Sequence, residues 1–219
     1  MENNILQFIG KEKIIVIVRG VTGDKLIPLA QAMYDGGIRL LEITYSADKS
    51  VSDKETAANI RALKNYFGEK MRIGAGTVLS EKQVELTKAA GGEFIISPDT
   101  VPSVIKKTKE LNMISMPGAL TPSEITLAHN SGADFVKVFP AAVLGTDYIK
   151  AVKAPLSHIN LLAVGGINVG NMEEYFNAGV CGFGIGGNIV DKKLLADNNY
   201  EGIAELAKKY VSVIQRLAQ

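Results

Sequence analysis

Residues 121–140 read Thr121-Pro122-Ser123-Glu124-Ile125-Thr126-Leu127-Ala128-His129-Asn130-Ser131-Gly132-Ala133-Asp134-Phe135-Val136-Lys137-Val138-Phe139-Pro140. The stretch begins with a capping box, Thr121 to Glu124, with Pro122 at the first helical position. A helix is predicted over Pro122–Asn130. Gly132 supplies a left-handed stop, and a short apolar run, Asp134–Phe139, follows as a buried strand. The same punctuation recurs along the chain. Ser52…Glu55 and Ser80…Gln83 read as further capping boxes, and Gly36-Gly37, Gly91-Gly92 and Gly179 stand before new strands. Strands are predicted at Ile14–Val18, Arg39–Thr44, Met71–Ala75, Glu93–Ser97, Met113–Met116, Asp134–Phe139, Asn160–Val164 and Cys181–Ile185. Helices are predicted at Lys25–Tyr34, Asp53–Tyr66, Lys82–Ala90, Pro102–Leu111, Pro122–Asn130 and Tyr148–Lys153.

Short apolar strands alternating with helices define an α/β fold, and eight such units point to a (β/α)8 TIM barrel. A doubly wound sheet is the competing arrangement. Its Gly-rich dinucleotide loop is missing after the first strand, where the chain reads Arg19-Gly20-Val21-Thr22. The residues before Ile14 and after about Tyr200 read as extra helices at the two ends. No linker or low-complexity segment divides residues 1–219, so one barrel domain is expected.

Composition narrows the function. The chain has 24 Lys and Arg against 23 Asp and Glu, which leaves no basic surplus for nucleic acid or an anionic membrane. No apolar run is long enough to span a bilayer, and Met1-Glu2-Asn3-Asn4 lacks the basic and apolar regions of a signal peptide. A single cysteine, Cys181, excludes an internal disulfide. A cytoplasmic enzyme is expected.

Two charges interrupt otherwise apolar strands. Lys137 in Val136-Lys137-Val138 must snorkel, pair with a carboxylate, or lose its proton and become a nucleophilic amine. Glu42 in Leu41-Glu42-Ile43 is either a structural partner that keeps Lys137 charged or a general acid/base. Strand C-termini carry the chemistry of a barrel, and the unusual residues gather there. They include Arg19, Thr44, Gly74-Ala75-Gly76-Thr77, Ser97-Pro98, Pro117-Gly118, Lys137, Gly165-Gly166 and Gly186-Gly187-Asn188. The two glycine pairs, at the ends of strands seven and eight, fit a phosphate site built from backbone N–H groups and a helix N-terminus. Arg19 reads either as a carboxylate or phosphate clamp or as a rim ion pair. His129 and His158 have no metal-ligand spacing, and Cys181 reads as a packing residue.

With these residues placed, the chain resembles the class I aldolases that cleave 2-keto-3-deoxy-6-phosphogluconate (KDPG) and 4-hydroxy-2-oxoglutarate (KHG). The resemblance rests on Gly37–Thr44, Gly74–Val78, Ile96-Ser97-Pro98, Pro117–Glu124, Val136–Ala141, Gly165-Gly166-Ile167 and Gly186-Gly187-Asn188, in that order. It implies a barrel, homotrimeric, working without metal or cofactor on a small keto acid. Lys137 then matches the lysine that forms an imine with pyruvate, and Glu42 the acid/base. Arg19, Thr77 and Pro98 are assigned to the substrate carboxylate, and Gly165, Gly166, Gly186, Gly187 and Asn188 to phosphate.

Two positions depart from the phosphogluconate branch. Ser46 stands where that branch has a carboxylate-binding arginine, and Asn188 where it has a serine. The phosphogalactonate branch instead places arginine and glycine after strand one, as Arg19-Gly20 does here. Cleavage to pyruvate and glyceraldehyde 3-phosphate or glyoxylate is expected. The alternatives are imine-dependent decarboxylation of oxaloacetate and a non-catalytic barrel that binds a sugar phosphate.

Overall fold

The structure, a computed structural model, describes residues 5–217. Residues 1–4, where the lack of a signal sequence was read, lie outside the described residues. The first four strands are β1 (Ile14–Val18), β2 (Leu40–Thr44), β3 (Arg72–Gly76) and β4 (Phe94–Ile96). They are followed by β5 (Ile114–Met116), β6 (Gly118–Ala119), β7 (Val136–Val138), β8 (Leu161–Val164) and β9 (Gly182–Ile185). Every pair is parallel, in the order β5-β4-β3-β2-β1-β9-β8-β7-β6.

The fifth barrel strand is therefore split. Pro117 separates β5 from β6 and has no N–H to contribute to a ladder. Its carbonyl closes the barrel, accepting from the Lys137 N–H at 2.8 Å, while Ala119 O accepts from the Phe139 N–H at 3.1 Å. On the other side, Met116 O accepts from the Ser97 N–H at 3.4 Å. The result is the (β/α)8 barrel anticipated from the sequence.

The helices are α1 (Ile5–Glu12), α2 (Leu26–Asp35), α3 (Asp53–Phe67), α4 (Glu81–Ala89), α5 (Pro102–Glu110), α6 (Pro122–Asn130), α7 (Ala141–Lys153), α8 (Met172–Asn177), α9 (Lys192–Ala196) and α10 (Tyr200–Leu217). The Thr121 box forms in full, with Glu124 returning a bond to the cap. Ser52 and Ser80 accept from the N–H groups of Glu55 and Gln83, but Gln83 Oε1 turns to the Leu79 N–H instead. Gly37 and Gly132 adopt the left-handed φ expected of them, +95° and +102°.

Two helices differ from expectation. α7 starts at Ala141, seven residues early, because a turn at Gly145 (φ 74°, ψ 176°) joins two helical pieces. α10 lies in the helix ring beside α2 rather than outside it. A Cβ on Gly36 would stand 2.4 Å from Ala207 Cβ, so the two helices meet backbone to backbone.

The core has two parts. One lies between strands and helices. The other fills the barrel and includes Ile15, Leu40, Phe94, Phe135 and Leu162, closed from below by Ile9 of α1. Gly74 belongs to this packing, since a Cβ there would fall 2.2 Å from the Phe94 ring. The bottom of the barrel is an apolar plug, so polar chemistry is confined to its mouth.

Candidate active site

Side chains alternate along a strand, so Val136 and Val138 on β7 face the helices while Phe135 and Lys137 face the barrel interior. On β2, Leu41 and Ile43 face out, while Leu40, Glu42 and Thr44 face in. Lys137 is 6% exposed and Glu42 is 2% exposed. Neither side chain makes a hydrogen bond or ion pair with another described residue. Their fields nevertheless meet. Burial holds the Lys137 amine below the ordinary lysine value, against the opposing pull of the Glu42 carboxylate; Arg19 lowers it further and Asp99 raises it. Burial pushes Glu42 above the usual carboxylate value, with Lys137 and Arg19 opposing. Both groups are thus displaced toward their neutral forms.

The register explains how Glu42 fits. Glu42 pairs with Gly74 and Thr44 with Gly76, so Gly76 lies beside the carboxylate. A Cβ on Gly76 would fall 1.5 Å from Glu42 Oε1. Gly76 therefore vacates the volume that the carboxylate uses. The Lys137 Nζ stands 4.8 Å from the centroid of the Phe139 ring. Phe139 and Asp99 belong to the site without having been singled out from the sequence, and Gly76 was read only as part of the Gly74–Thr77 strand end. A phenylalanine in an apolar run carries no distinguishing signal.

At the rim, Arg19 Nη2 donates to Thr77 Oγ1 at 3.4 Å. Arg19 thus reaches over β2 toward the end of β3, away from β8. Thr77 has φ +54°, an unusual conformation for a β-branched residue. Ser46 donates to Asp48 and contacts Ser50 Oγ at 2.8 Å, and the Ser46 hydroxyl, followed by the Ser50 N–H and hydroxyl, brings Asp48 down to about 2. A cleft of about 310 Å³ between the β1 and β2 loops is lined by Arg19, Thr44, Ser46 and Asp48. Pro98 sits against Gly118, whose Cβ would approach Pro98 O to 2.2 Å. Larger than this cleft is one of about 420 Å³ at the opposite end of the barrel, lined by Lys11, Arg39 and Val211, remote from Lys137.

Gly165 and Gly166 both have positive φ, +92° and +77°. The N–H groups of Gly166, Gly187 and Asn188 have no backbone acceptor among the described residues. Asn188 Nδ2 donates to Ile167 O at 2.9 Å and ties the two turns together. The expected helix N-terminus is different: α9 is already capped by Asp191, which accepts from Lys193 and Leu194. The two turns present peptide N–H groups, not a free helix end. Among the described residues no three His, Cys, Asp or Glu side chains converge as metal ligands. His129 and His158 pack ring against ring at 5.1 Å. Cys181 donates to Leu161 O, in keeping with its packing role. No helix among the described residues is long and apolar enough to cross a membrane.

A (β/α)8 barrel with a desolvated amine and a desolvated carboxyl group facing its interior has the groups that imine-forming chemistry requires. The family model described as KDPG and KHG aldolase matches residues 5–206. The 2-dehydro-3-deoxy-6-phosphogalactonate aldolase of Escherichia coli strain K12 is 31% identical over 211 residues, covering 96% of this chain and 100% of that protein. A crystal structure of KDPG aldolase from Legionella pneumophila, with pyruvate captured as a covalent carbinolamine, aligns with a TM-score of 0.83 and 27% identity, over 95% of this chain and 98% of that one. A porous protein cage designed by fusing symmetric oligomeric domains aligns with a TM-score of 0.84 and 32% identity, over 94% of this chain and 73% of that one. The chain belongs to the KDPG and KHG aldolase family. It is a lyase that cleaves a keto acid to pyruvate and an aldehyde.

Proposed function

We propose that Lys137 is the nucleophile and Glu42 the proton carrier in cleavage of a 2-keto-3-deoxy-6-phospho-sugar acid of the galactonate or gluconate type, with 4-hydroxy-2-oxoglutarate as a poorer substrate. The observation that carries this reading is the burial of both side chains in one barrel interior, Lys137 on β7 and Glu42 on β2, where loss of water favours the neutral amine and the neutral acid.

The neutral Lys137 amine attacks the C2 ketone, and the carbonyl pair passes to oxygen, which gains a proton. Glu42, protonated, assists loss of that oxygen as water, and the nitrogen lone pair completes the iminium. As a carboxylate, Glu42 then accepts the C4 hydroxyl proton while the C3–C4 pair flows into the iminium. An aldehyde leaves and an enamine of pyruvate remains. Protonation at C3 and hydrolysis return pyruvate and free Lys137.

Arg19 and Thr77 hold the substrate carboxylate, with Pro98 forming the adjacent wall. Support comes from the Arg19 guanidinium, which turns toward Thr77 and away from the glycine turns. Ser46 cannot provide a bidentate cation, so Arg19 takes that task from β1. The N–H groups of Gly165, Gly166, Gly186, Gly187 and Asn188 receive the phosphate. The unsatisfied N–H groups and positive φ of the turns support this assignment. The working form is a cytoplasmic homotrimer without metal or cofactor.

The test is pyruvate release from the two phosphorylated epimers and from 4-hydroxy-2-oxoglutarate. Turnover highest on a phosphorylated substrate, falling by about 10²–10⁴ in Glu42→Gln, is the expected outcome. Near-full activity in Glu42→Gln removes Glu42 from the scheme, and indifference to phosphate removes the glycine turns.

A further inference from the structure

Phe139 flanks the Lys137 amine, and no step of the retro-aldol scheme uses it. Phe139 is 39% exposed as a residue, so burial gives little reason for a large apolar side chain there. The ring faces Nζ at 4.8 Å from its centroid. Its Cδ2 and Cε2 also come within 3.2 and 3.3 Å of the place a Cβ would occupy on Gly165, so it stands between the amine and the first glycine turn. The face of an aromatic ring is its negative side and attracts a cation at this range.

The charged groups whose fields reach the amine are Glu42 from β2, Arg19 at the end of β1 and Asp99 after β4. Arg19 opposes a positive nitrogen. Glu42 favours one only while it is a carboxylate, and it must become neutral each time it carries a proton. Asp99 is exposed, and its field is screened by water. A ring quadrupole does not titrate and stays in place throughout the cycle.

We infer that the Phe139 ring face is a catalytic element that stabilises the positive charge on the Lys137 nitrogen when the carbinolamine expels water to form the iminium. The inference rests on Lys137 being the nucleophile. In the step concerned, carbinolamine plus one proton becomes iminium plus water. The C2–oxygen bond breaks, the lone pair on nitrogen forms the C=N bond, and the nitrogen becomes cationic. The ring acts on that charge alone and takes part in no bond change. It also favours the competing ammonium, so its removal moves the pH profile as well as the imine equilibrium.

The experiment compares wild type, Phe139→Leu and Phe139→Tyr. It reads borohydride-trapped pyruvyl adduct at sub-saturating pyruvate, together with the pH dependence of pyruvate release. Leu fills similar space without a π face, whereas Tyr keeps one. Phe139→Leu is expected to lower the trapped fraction by about three- to thirtyfold and to shift the acid limb to lower pH, with Phe139→Tyr close to wild type on both. An unmoved acid limb with full trapping in Phe139→Leu overturns the inference. So does a Tyr variant as impaired as Leu, which shows that only packing matters. No adduct in the wild type overturns the Lys137 reading itself, and this inference with it. Thermal unfolding of both variants near the wild-type midpoint shows that they fold.

Discussion

Gly76 has no side chain because Glu42, on the neighbouring strand, occupies the space where its Cβ would lie. Gly76→Ala is therefore expected to dislodge the Glu42 carboxylate and lower the rate of pyruvate release by at least tenfold while leaving the far-ultraviolet circular dichroism unchanged. Wild-type turnover in Gly76→Ala would mean that Glu42 has room to spare. Lys137 and Glu42 were legible in the sequence because a charge within a β-branched run is expensive unless it is used or paired. Phe139 and Asp99 were not, and Gly76 was legible only as a strand-end glycine, not as the gap that Glu42 fills. Gly76 and Asp99 act on groups far away in the chain, of which residue type carries no trace, and the role of Phe139 depends on which way its ring turns. The Ser46–Asp48–Ser50 cluster is a similar case: the loss of a cation at Ser46 could be read, but not the anion that its hydroxyl holds.

Elements were legible wherever the punctuation was local. The Thr121 box, Pro122 and Gly132 mark one helix and its exit, and α6 has the bounds read for it. The misreadings have tertiary causes. Pro117 splits the fifth strand, yet its carbonyl still serves the β7 side of the barrel. The helix read from Tyr148 begins at Ala141, because Gly145 interrupts the helical geometry without ending it and both pieces form α7. α10 reads as an appendage because its docking surface depends on Gly36, far away in the chain. A substitution at Gly36 tests that placement. Gly36→Ala puts a methyl group 2.4 Å from Ala207 Cβ and 2.6 Å from Ala204 O. The expected cost is about 1–3 kcal/mol, read as a lower midpoint in urea unfolding. An unchanged midpoint would mean that α10 can leave the helix ring without penalty.

The molecule as a whole divides its barrel into an apolar plug, sealed by α1, and a polar mouth where burial shifts an amine and a carboxyl group toward their neutral forms. That division has a cost that depends on pH. Glu42 has a raised folded value, so stability is lost as pH climbs from 4.5 through that value. Lys137 has a lowered folded value, so stability is regained as pH climbs from that value toward 10.5. The wild type therefore sits in a trough between the two windows. The double variant Lys137→Met/Glu42→Gln is expected to be inactive but more heat-stable near neutral pH, with its advantage narrowing toward either extreme. Each kcal/mol gained raises the midpoint by about 2–4 °C in a chain of this size. A double variant no more stable than the wild type at neutral pH would show that the pair is not strained by burial.

The central claim is that Lys137 forms the imine. It is tested most directly by mass spectrometry of the protein after incubation with pyruvate and sodium borohydride, with Lys137→Ala alongside. One reduced pyruvyl adduct on the peptide carrying Lys137, and none in Lys137→Ala, is the predicted result. An adduct that persists in Lys137→Ala, or no adduct in a wild type shown independently to bind pyruvate, would contradict it.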